Sequence, residues 1–238
     1  MSATIKRLAA PALILAATAA EAALFLAAPA VTGIARASIA VPALDEMHRP
    51  RPASVEPSLE EVRAATERFR DVEVALAEGY IRDPADMCET AEMMGRPREE
   101  GAMGIHYFRP DMLGITAPPN PRVEGTGTHT DFLNPAILLY EPQADGSLEL
   151  VAVENLVFAK AWSAAGNAAP PSFHGVAYDT MVDDPGTSID EAHNFEPHHD
   201  RHVWLYRENP SGPFEQFNPN VTCEHHGSDG RHQASAHP

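Results

Sequence analysis

The pattern of hydrophobic and polar positions predicts a helix near the start of the folded region. Ser58 and Glu61 have the spacing of a capping box, in which each side chain binds a free backbone N–H of the first turn. Apolar residues then recur at helical spacing: Val62, Ala65, Phe69, Val72 and Leu76. The spacing predicts one helix over about 59–78 and a second, shorter helix over about 85–94.

Strand-like segments follow at 102–108, 136–141, 148–158, 173–178 and 201–207. Asp145-Gly146 lies between the second and third of these and favours a tight turn, so we predict a β-hairpin there. Long proline-containing loops separate the others. Because helix comes before antiparallel strands, we expect an α+β fold, with an N-terminal helical layer packed on a mainly antiparallel β-sheet.

The two ends of the chain differ in composition from its middle. Residues 1–37 have a basic start, a long apolar stretch and the small-residue site Ala35-Arg36-Ala37, which predicts a secretory signal peptide. Glu21 interrupts the stretch, and an uncleaved membrane anchor is the alternative, because about 20 apolar residues span a bilayer. We interpret 38–57 as a Pro-rich linker, 58–223 as a single domain and 224–238 as a disordered His-rich tail.

Either reading of the N-terminus places the domain outside the cytoplasm, in the periplasm or the extracellular space. In such a compartment Cys88 and Cys223, the two cysteines of the chain, are expected to form a disulfide. That bond would attach the C-terminal end of the domain to the helical layer. A thiolate nucleophile or metal ligand is the alternative and would require a reduced cysteine.

The chain is strongly acidic, with a formal net charge of −17. Loss of residues 1–37 would remove three basic residues and one acidic residue, and would leave Lys160 as the single lysine. An acidic surface repels nucleic acids and anionic lipids, so we expect neither as a partner. A small molecule or a metal ion is compatible with this charge, and the sequence does not indicate the oligomeric state.

Three of the predicted strands each carry one candidate metal ligand: His106, Glu154 and His202. Glu154 is the only charge on an otherwise apolar face of its segment, where a carboxylate needs a partner or a cation. Each histidine shares a face with at least one aromatic residue. Strands lying side by side would combine two histidines and one carboxylate, a set that holds Zn, Fe or Mn and leaves coordination positions open.

Ordinary structural roles are the alternative for these residues. Glu154 would then pair with Arg207 or Arg109, and His202 would bond a backbone carbonyl. Tyr107 and His174 are possible accessory proton donors to a metal site.

Two further groups of residues have less specific patterns. Five methionines, whose thioethers suit Cu(I), lie near Cys88 and His106, but methionines more often fill gaps in a core: Met87, Met93, Met94, Met103 and Met112. The stretch 190–200 is rich in acids and histidines, without a recognisable ligand spacing, and we interpret it as a solvated loop.

Several motifs resemble those of uncharacterised exported bacterial proteins across about 70–223. They are His202-Val203-Trp204, then 209–214 with the pattern Asn-Pro-x-Gly-x-Phe, then 218–223 with the pattern Asn-Pro-x-Val-x-Cys. The resemblance implies export and no particular activity. We therefore expect an exported soluble domain that binds a small ligand or a divalent or transition metal (Zn, Fe, Mn or Cu) through the His/Glu cluster. A metal-dependent enzyme using the same cluster, and a structural or interaction module with no ligand or cofactor, are the alternatives.

Overall fold

The structure, a computed structural model, describes residues 56–227. The predicted signal peptide lies outside the described residues, as do most of the linker and most of the tail. The α-helices are α1 (Leu59–Thr66), α2 (Val72–Ala77), α3 (Pro110–Leu113) and α4 (Ala159–Ala164). The strands are β1 (Ile81–Arg82), β2 (Cys88–Thr90), β3 (Ala102–Phe108), β4 (Ile137–Pro142), β5 (Leu148–Phe158), β6 (Ser172–Phe173), β7 (Val176–Ala177), β8 (Asp179–Met181) and β9 (His198–Trp204).

Seven strands form one antiparallel sheet in the order β1-β3-β4-β5-β9-β8, with β2 paired to β3 beside β1. β6 and β7 form a separate two-stranded hairpin. The hairpin predicted around Asp145-Gly146 is present as β4 and β5. The α+β fold class is confirmed.

The predicted first helix is interrupted. The capping box forms, with Ser58 N donating to Glu61 Oε2 at 2.8 Å and Glu61 N donating to Ser58 Oγ at 3.2 Å. After α1 the chain tightens into a 3₁₀ turn at Glu67–Arg70, and Asp71 leaves the helical conformation. The Asp71 side chain then caps α2 by accepting from Glu73 N at 3.0 Å. Two short helices therefore replace the continuous helix expected over 59–78, because an aspartate favours a cap over a helix interior.

The prediction of a second helix over 85–94 was wrong. Cys88 lies on strand β2, followed by a 3₁₀ turn at Glu92–Met94. Pairing along the edge of β3 satisfies the backbone groups of this segment better than an isolated helix of about ten residues would. The prediction of a single strand over 173–178 was also wrong. This segment belongs to the β6–β7 hairpin, whose turn residues His174 and Gly175 have φ of 50° and 76°.

The sheet separates two apolar cores. The helix-side core lies between the sheet and the N-terminal helices and includes Val62, Phe69 and Tyr140. The loop-side core lies on the opposite face, under the long loops and the C-terminal segment, and includes Phe158, Trp204 and Phe217. The candidate ligands lie on the loop side.

Cys88 and Cys223 form the predicted disulfide, with Cα atoms 5.7 Å apart and a separation of 135 positions in the sequence. It joins strand β2 to the C-terminal segment. The same segment also contacts β3 through Asn218, whose backbone N–H donates to Ala102 O at 3.1 Å. A structural disulfide indicates a compartment other than the cytoplasm. Within 56–227, no helix combines the length and apolar character needed to cross a membrane.

Replacing the disulfide by Cys88→Ala with Cys223→Ala is expected to lower the free energy of unfolding by about 2–5 kcal/mol, because the long closed loop no longer restricts the unfolded chain. Urea unfolding of the variant, and of wild-type protein with and without reductant, measures this. Reduced wild-type protein should match the variant. Equal urea midpoints for oxidised wild type and variant would contradict the structural role of the bond.

Candidate metal centre

Strand register brings the three predicted ligands to one place on the loop-side face. Glu154 on β5 lies directly opposite His202 on β9. His106 on β3 is paired with Leu139 of β4, so β4 lies between β3 and β5. The three strands are therefore not all neighbours, and the His106 side chain reaches the site across β4.

A β-bulge determines which side chains of β5 reach this face. The β4–β5 register shifts between Leu139 and Tyr140, so Ala152 and Leu150 oppose consecutive residues of β4 and Val151 is the extra residue. Leu150 consequently packs in the helix-side core, whereas Ala152 and Leu156 flank Glu154 in the loop-side core. The alternation predicted along all of 148–158 holds only after the bulge.

The three ligand atoms have the spacing of a coordination sphere. Glu154 Oε2 is 3.3 Å from His106 Nε2 and 3.5 Å from His202 Nε2. One ligand atom from each residue lies within 4.8 Å of the other two. Ligands at about 2.1 Å from a tetrahedral ion are about 3.4 Å apart. The cluster has the ligand types and the spacing to hold a metal ion.

The two arginines considered as structural partners of Glu154 are paired with other carboxylates. Arg207 pairs with Glu141 at 2.7 Å and with Glu149 at 2.8 Å. Arg109 pairs with Asp111 at 2.6 Å.

The ligand residues are deeply buried and incompletely bonded. Glu154 and His202 are 2% and 1% exposed, yet Glu154 Oε2 and both ring nitrogens of His202 have no hydrogen-bond partner among the described residues. Buried polar atoms are rarely left in this state, and an ion or an ordered water is the usual explanation. The His202 ring is also held in place, since it stacks on Trp204 with 16° between the planes.

Five more ionisable residues line the same cavity and were missed as site residues: Asp83, Glu89, His193, His198 and Asp200. Asp83 is half-buried, and the other four are buried. Three of them fall in the stretch 190–200, so the prediction of a solvated loop there was wrong. Because β9 begins at His198, alternation along it puts His198, Asp200 and His202 on one face. An earlier start for the predicted strand would have revealed this pattern.

Electrostatic pairing stabilises the charged forms of these groups. Burial raises the pKa of the Glu89 carboxyl, but the neighbouring His193 and His106 outweigh it and bring the pKa to about 2. Burial lowers the pKa of His106, whereas Glu89 and Glu154 raise it, with a result of about 9. Burial likewise raises the pKa of Asp200, and His198 and His202 lower it to about 2. The site therefore has strong negative charge that protons on the histidines, or a metal cation, can balance.

The cavity enclosed by these residues is small and covered. Its volume is about 20 Å³, enough for one water molecule or one ion. The loop that carries His193 and Phe195 lines it and is bound to a second loop, because Val123 N donates to Asn194 O and Glu196 N donates to Val123 O, both at 2.9 Å. Arg122 strengthens this contact by donating to Phe195 O at 2.7 Å.

The two predicted accessory residues do not belong to the site. Tyr107 alternates to the other side of β3 and packs in the helix-side core, where its ring lies 4.9 Å from that of Tyr140. His174 is an exposed turn residue whose Nε2 lies 2.8 Å from Pro57 O. Among the methionines, Met103 is buried in the loop-side core and lines the cavity, whereas Met93 is 50% exposed.

No protein-family model matches the chain, and the comparisons with curated proteins and with solved structures found no match. We therefore infer function from the geometry of the site.

Gly104 lets β3 lie close enough to β4 for His106 to reach the centre. Its φ is +102°, and an added Cβ would lie 2.6 Å from Tyr140 O. Gly104→Ala is expected to lower the free energy of unfolding by at least about 3 kcal/mol, because backbone strain and a backbone clash add. Gly166 has a φ of +90° with no atom within 4 Å of an added Cβ, so Gly166→Ala is the matched control and should cost only about 1–2 kcal/mol. If urea unfolding showed equal losses of unfolding free energy for the two variants, the close approach of β3 to β4 at Gly104 would be contradicted.

Proposed function

We propose that this protein is an exported domain that binds one divalent transition-metal ion through His106, Glu154 and His202. One observation carries the proposal: three ligand atoms lie at coordination spacing in a buried cavity, while Glu154 Oε2 and both nitrogens of His202 lack hydrogen-bond partners. Zn²⁺, Fe²⁺ and Mn²⁺ all accept a set of two imidazoles and one carboxylate. Export is supported by the disulfide and by the predicted signal peptide.

The charge around the cavity favours a cation. Four carboxylates line it, from Asp83, Glu89, Glu154 and Asp200, and none of its thirteen lining residues is a lysine or an arginine. Its histidines are the only lining groups that can carry positive charge. Neutral histidines bind a metal ion, and the ion then supplies compensating positive charge to these carboxylates, three of which are buried.

Neighbouring residues would support the ligands. Glu89 Oε1 is 3.9 Å from His106 Nδ1, and the other Glu89 oxygen binds His193 Nδ1. At 3.9 Å the Glu89 carboxylate makes no hydrogen bond to the His106 ring, but its charge raises the basicity of that ring. His198 and Asp200, which are not proposed ligands, form a histidine–carboxylate pair on β9, with His198 Nε2 3.5 Å from Asp200 Oδ2.

A metal-dependent enzyme is the second candidate function. Three protein ligands leave coordination positions open, as in catalytic rather than structural sites. A bound ion would supply Lewis-acid chemistry to a group placed at those positions. The observation that favours this candidate is a larger apolar pocket whose wall includes Phe108 and His193, residues that also line the metal cavity. A purely structural module would be expected to satisfy its buried polar groups internally, which this site does not do.

Metal content tests the proposal. Protein purified without an affinity tag, stripped with chelator and re-equilibrated with equimolar Zn²⁺, Fe²⁺ or Mn²⁺, should retain about one ion per chain in excess of the triple variant His106→Ala/Glu154→Gln/His202→Ala. Each single substitution should raise the dissociation constant at least about 100-fold, because removal of a ligand costs more than loss of its supporting group. Elemental analysis and the metal-induced rise in melting temperature measure these effects.

His199→Ala is the matched control. His199 lies on the same strand as His202 but is only partly buried, and its Nδ1 lies 2.9 Å from Thr180 Oγ1 on β8. This variant should bind metal as wild type does. Histidines of the tail contribute equally in every variant, so they do not affect the comparison. Retention of the same metal by wild type and triple variant would refute the proposed site.

A further inference from the structure

A second cavity, which we call the proline pocket, adjoins the metal cavity. Its volume is about 320 Å³, within the range of sites for small organic ligands. It lies between the start of the sheet and the two mutually bound loops. Its lining residues are Ile81, Asp83, Pro84, Ala85, Phe108, Pro110, Ile115, Thr116, Ala117, Pro118, Pro119, Val123, His193, Asn194 and Phe195.

The two cavities share a wall. Asp83, Phe108, His193 and Phe195 line both of them. The metal cavity admits only an ion or a water molecule, so an organic molecule that approaches the ion must be held in the proline pocket. The shared wall puts one end of such a molecule next to the candidate ligands.

The lining indicates the chemistry of the occupant. Eleven of the fifteen residues have apolar side chains, and none is a lysine or an arginine. The carboxylates of Asp83 and of the adjoining metal cavity disfavour an anion. Four prolines restrict the backbone around the pocket, so it is largely formed before binding. These features fit a compact, uncharged and mainly apolar molecule.

A residue of the shared wall, His193, carries an unpartnered polar atom. His193 is 9% exposed, and its Nδ1 binds the Glu89 carboxylate. Its Nε2 is buried and has no hydrogen-bond partner among the described residues. Burial of an unpartnered ring nitrogen is costly, and a polar group of a ligand would remove that cost.

We propose that the proline pocket binds a compact, uncharged, mainly apolar molecule whose single polar group hydrogen-bonds His193 Nε2 beside the metal centre. The inference rests on the proposed function in one respect, because it names the class of molecule that would meet the metal. Binding in the pocket itself requires only the residues that line it.

Fluorescence of N-phenyl-1-naphthylamine, an uncharged probe that brightens in apolar surroundings, tests the pocket in the full chain. We expect saturable binding of about one probe per chain. The sulfonated probe 8-anilino-1-naphthalenesulfonate has the same ring skeleton and a negative charge, and should bind at least about tenfold more weakly. Ala85→Trp fills the pocket and should abolish binding, whereas Ala144→Trp, at an exposed turn between β4 and β5, should not. No saturable binding, or equal binding by both tryptophan variants, would overturn the proposal.

Competition tests the role of His193. 1-Naphthol should displace the probe roughly two- to tenfold better than naphthalene, because its hydroxyl adds one hydrogen bond. This preference should disappear in His193→Phe, which keeps a ring at the position. Equal competition in wild-type protein would overturn the assignment of Nε2.

Metal content of the same samples separates the two proposals. Probe binding by protein that holds no metal would support the pocket proposal and refute the metal-binding proposal. Metal retention without probe binding would refute the pocket proposal and support the metal centre.

Discussion

Burial of the Glu154 carboxylate on an apolar sheet face is the constraint on which the rest of the site depends. A charge in that position needs compensation, because the cost of removing it from water is several kcal/mol. The available arginines are bound elsewhere, to Glu141, Glu149 and Asp111. Compensation therefore has to come from the two histidines that register and alternation bring to Glu154, as protons or as ligands of a shared cation. The metal proposal is the second of these solutions, and it also accounts for the unpartnered Nε2 of His202.

The unusual feature of the architecture is that loops, rather than helices, cover the site. Helices pack on one face of the sheet, where the Tyr140 hydroxyl donates to Phe69 O at 2.7 Å. On the other face, two loops bound to each other at Val123 and Phe195 line the proline pocket, and the second of them also lines the metal cavity. The disulfide fixes strand β2, and with it Glu89, at the edge of this face. A stable sheet thus carries the ligands, while loop sequence determines what can approach them.

Local patterns were sufficient for part of the fold and not for the rest. The bounds of β3 and β5, the capping box at Ser58 and the disulfide follow from residue type and spacing, which depend little on tertiary context. The helix predicted over 85–94 failed because edge pairing with β3 outweighed local propensity. The bulge at Val151 reverses the faces of β5, and no turn residue or proline marks it in the sequence. His193 and Glu89 reach the site through loop closure and β2 pairing, long-range contacts that spacing does not encode.

Anomalous diffraction from crystals of the zinc-loaded protein tests the central claim most directly, because it locates the ion without reference to activity. The account predicts one strong peak at about 2.0–2.2 Å from His106 Nε2, His202 Nε2 and Glu154 Oε2, the range of zinc–ligand bonds in proteins. Peaks confined to surface acids or tail histidines, with only a water hydrogen-bonded between Glu154 and the two histidines, would contradict it.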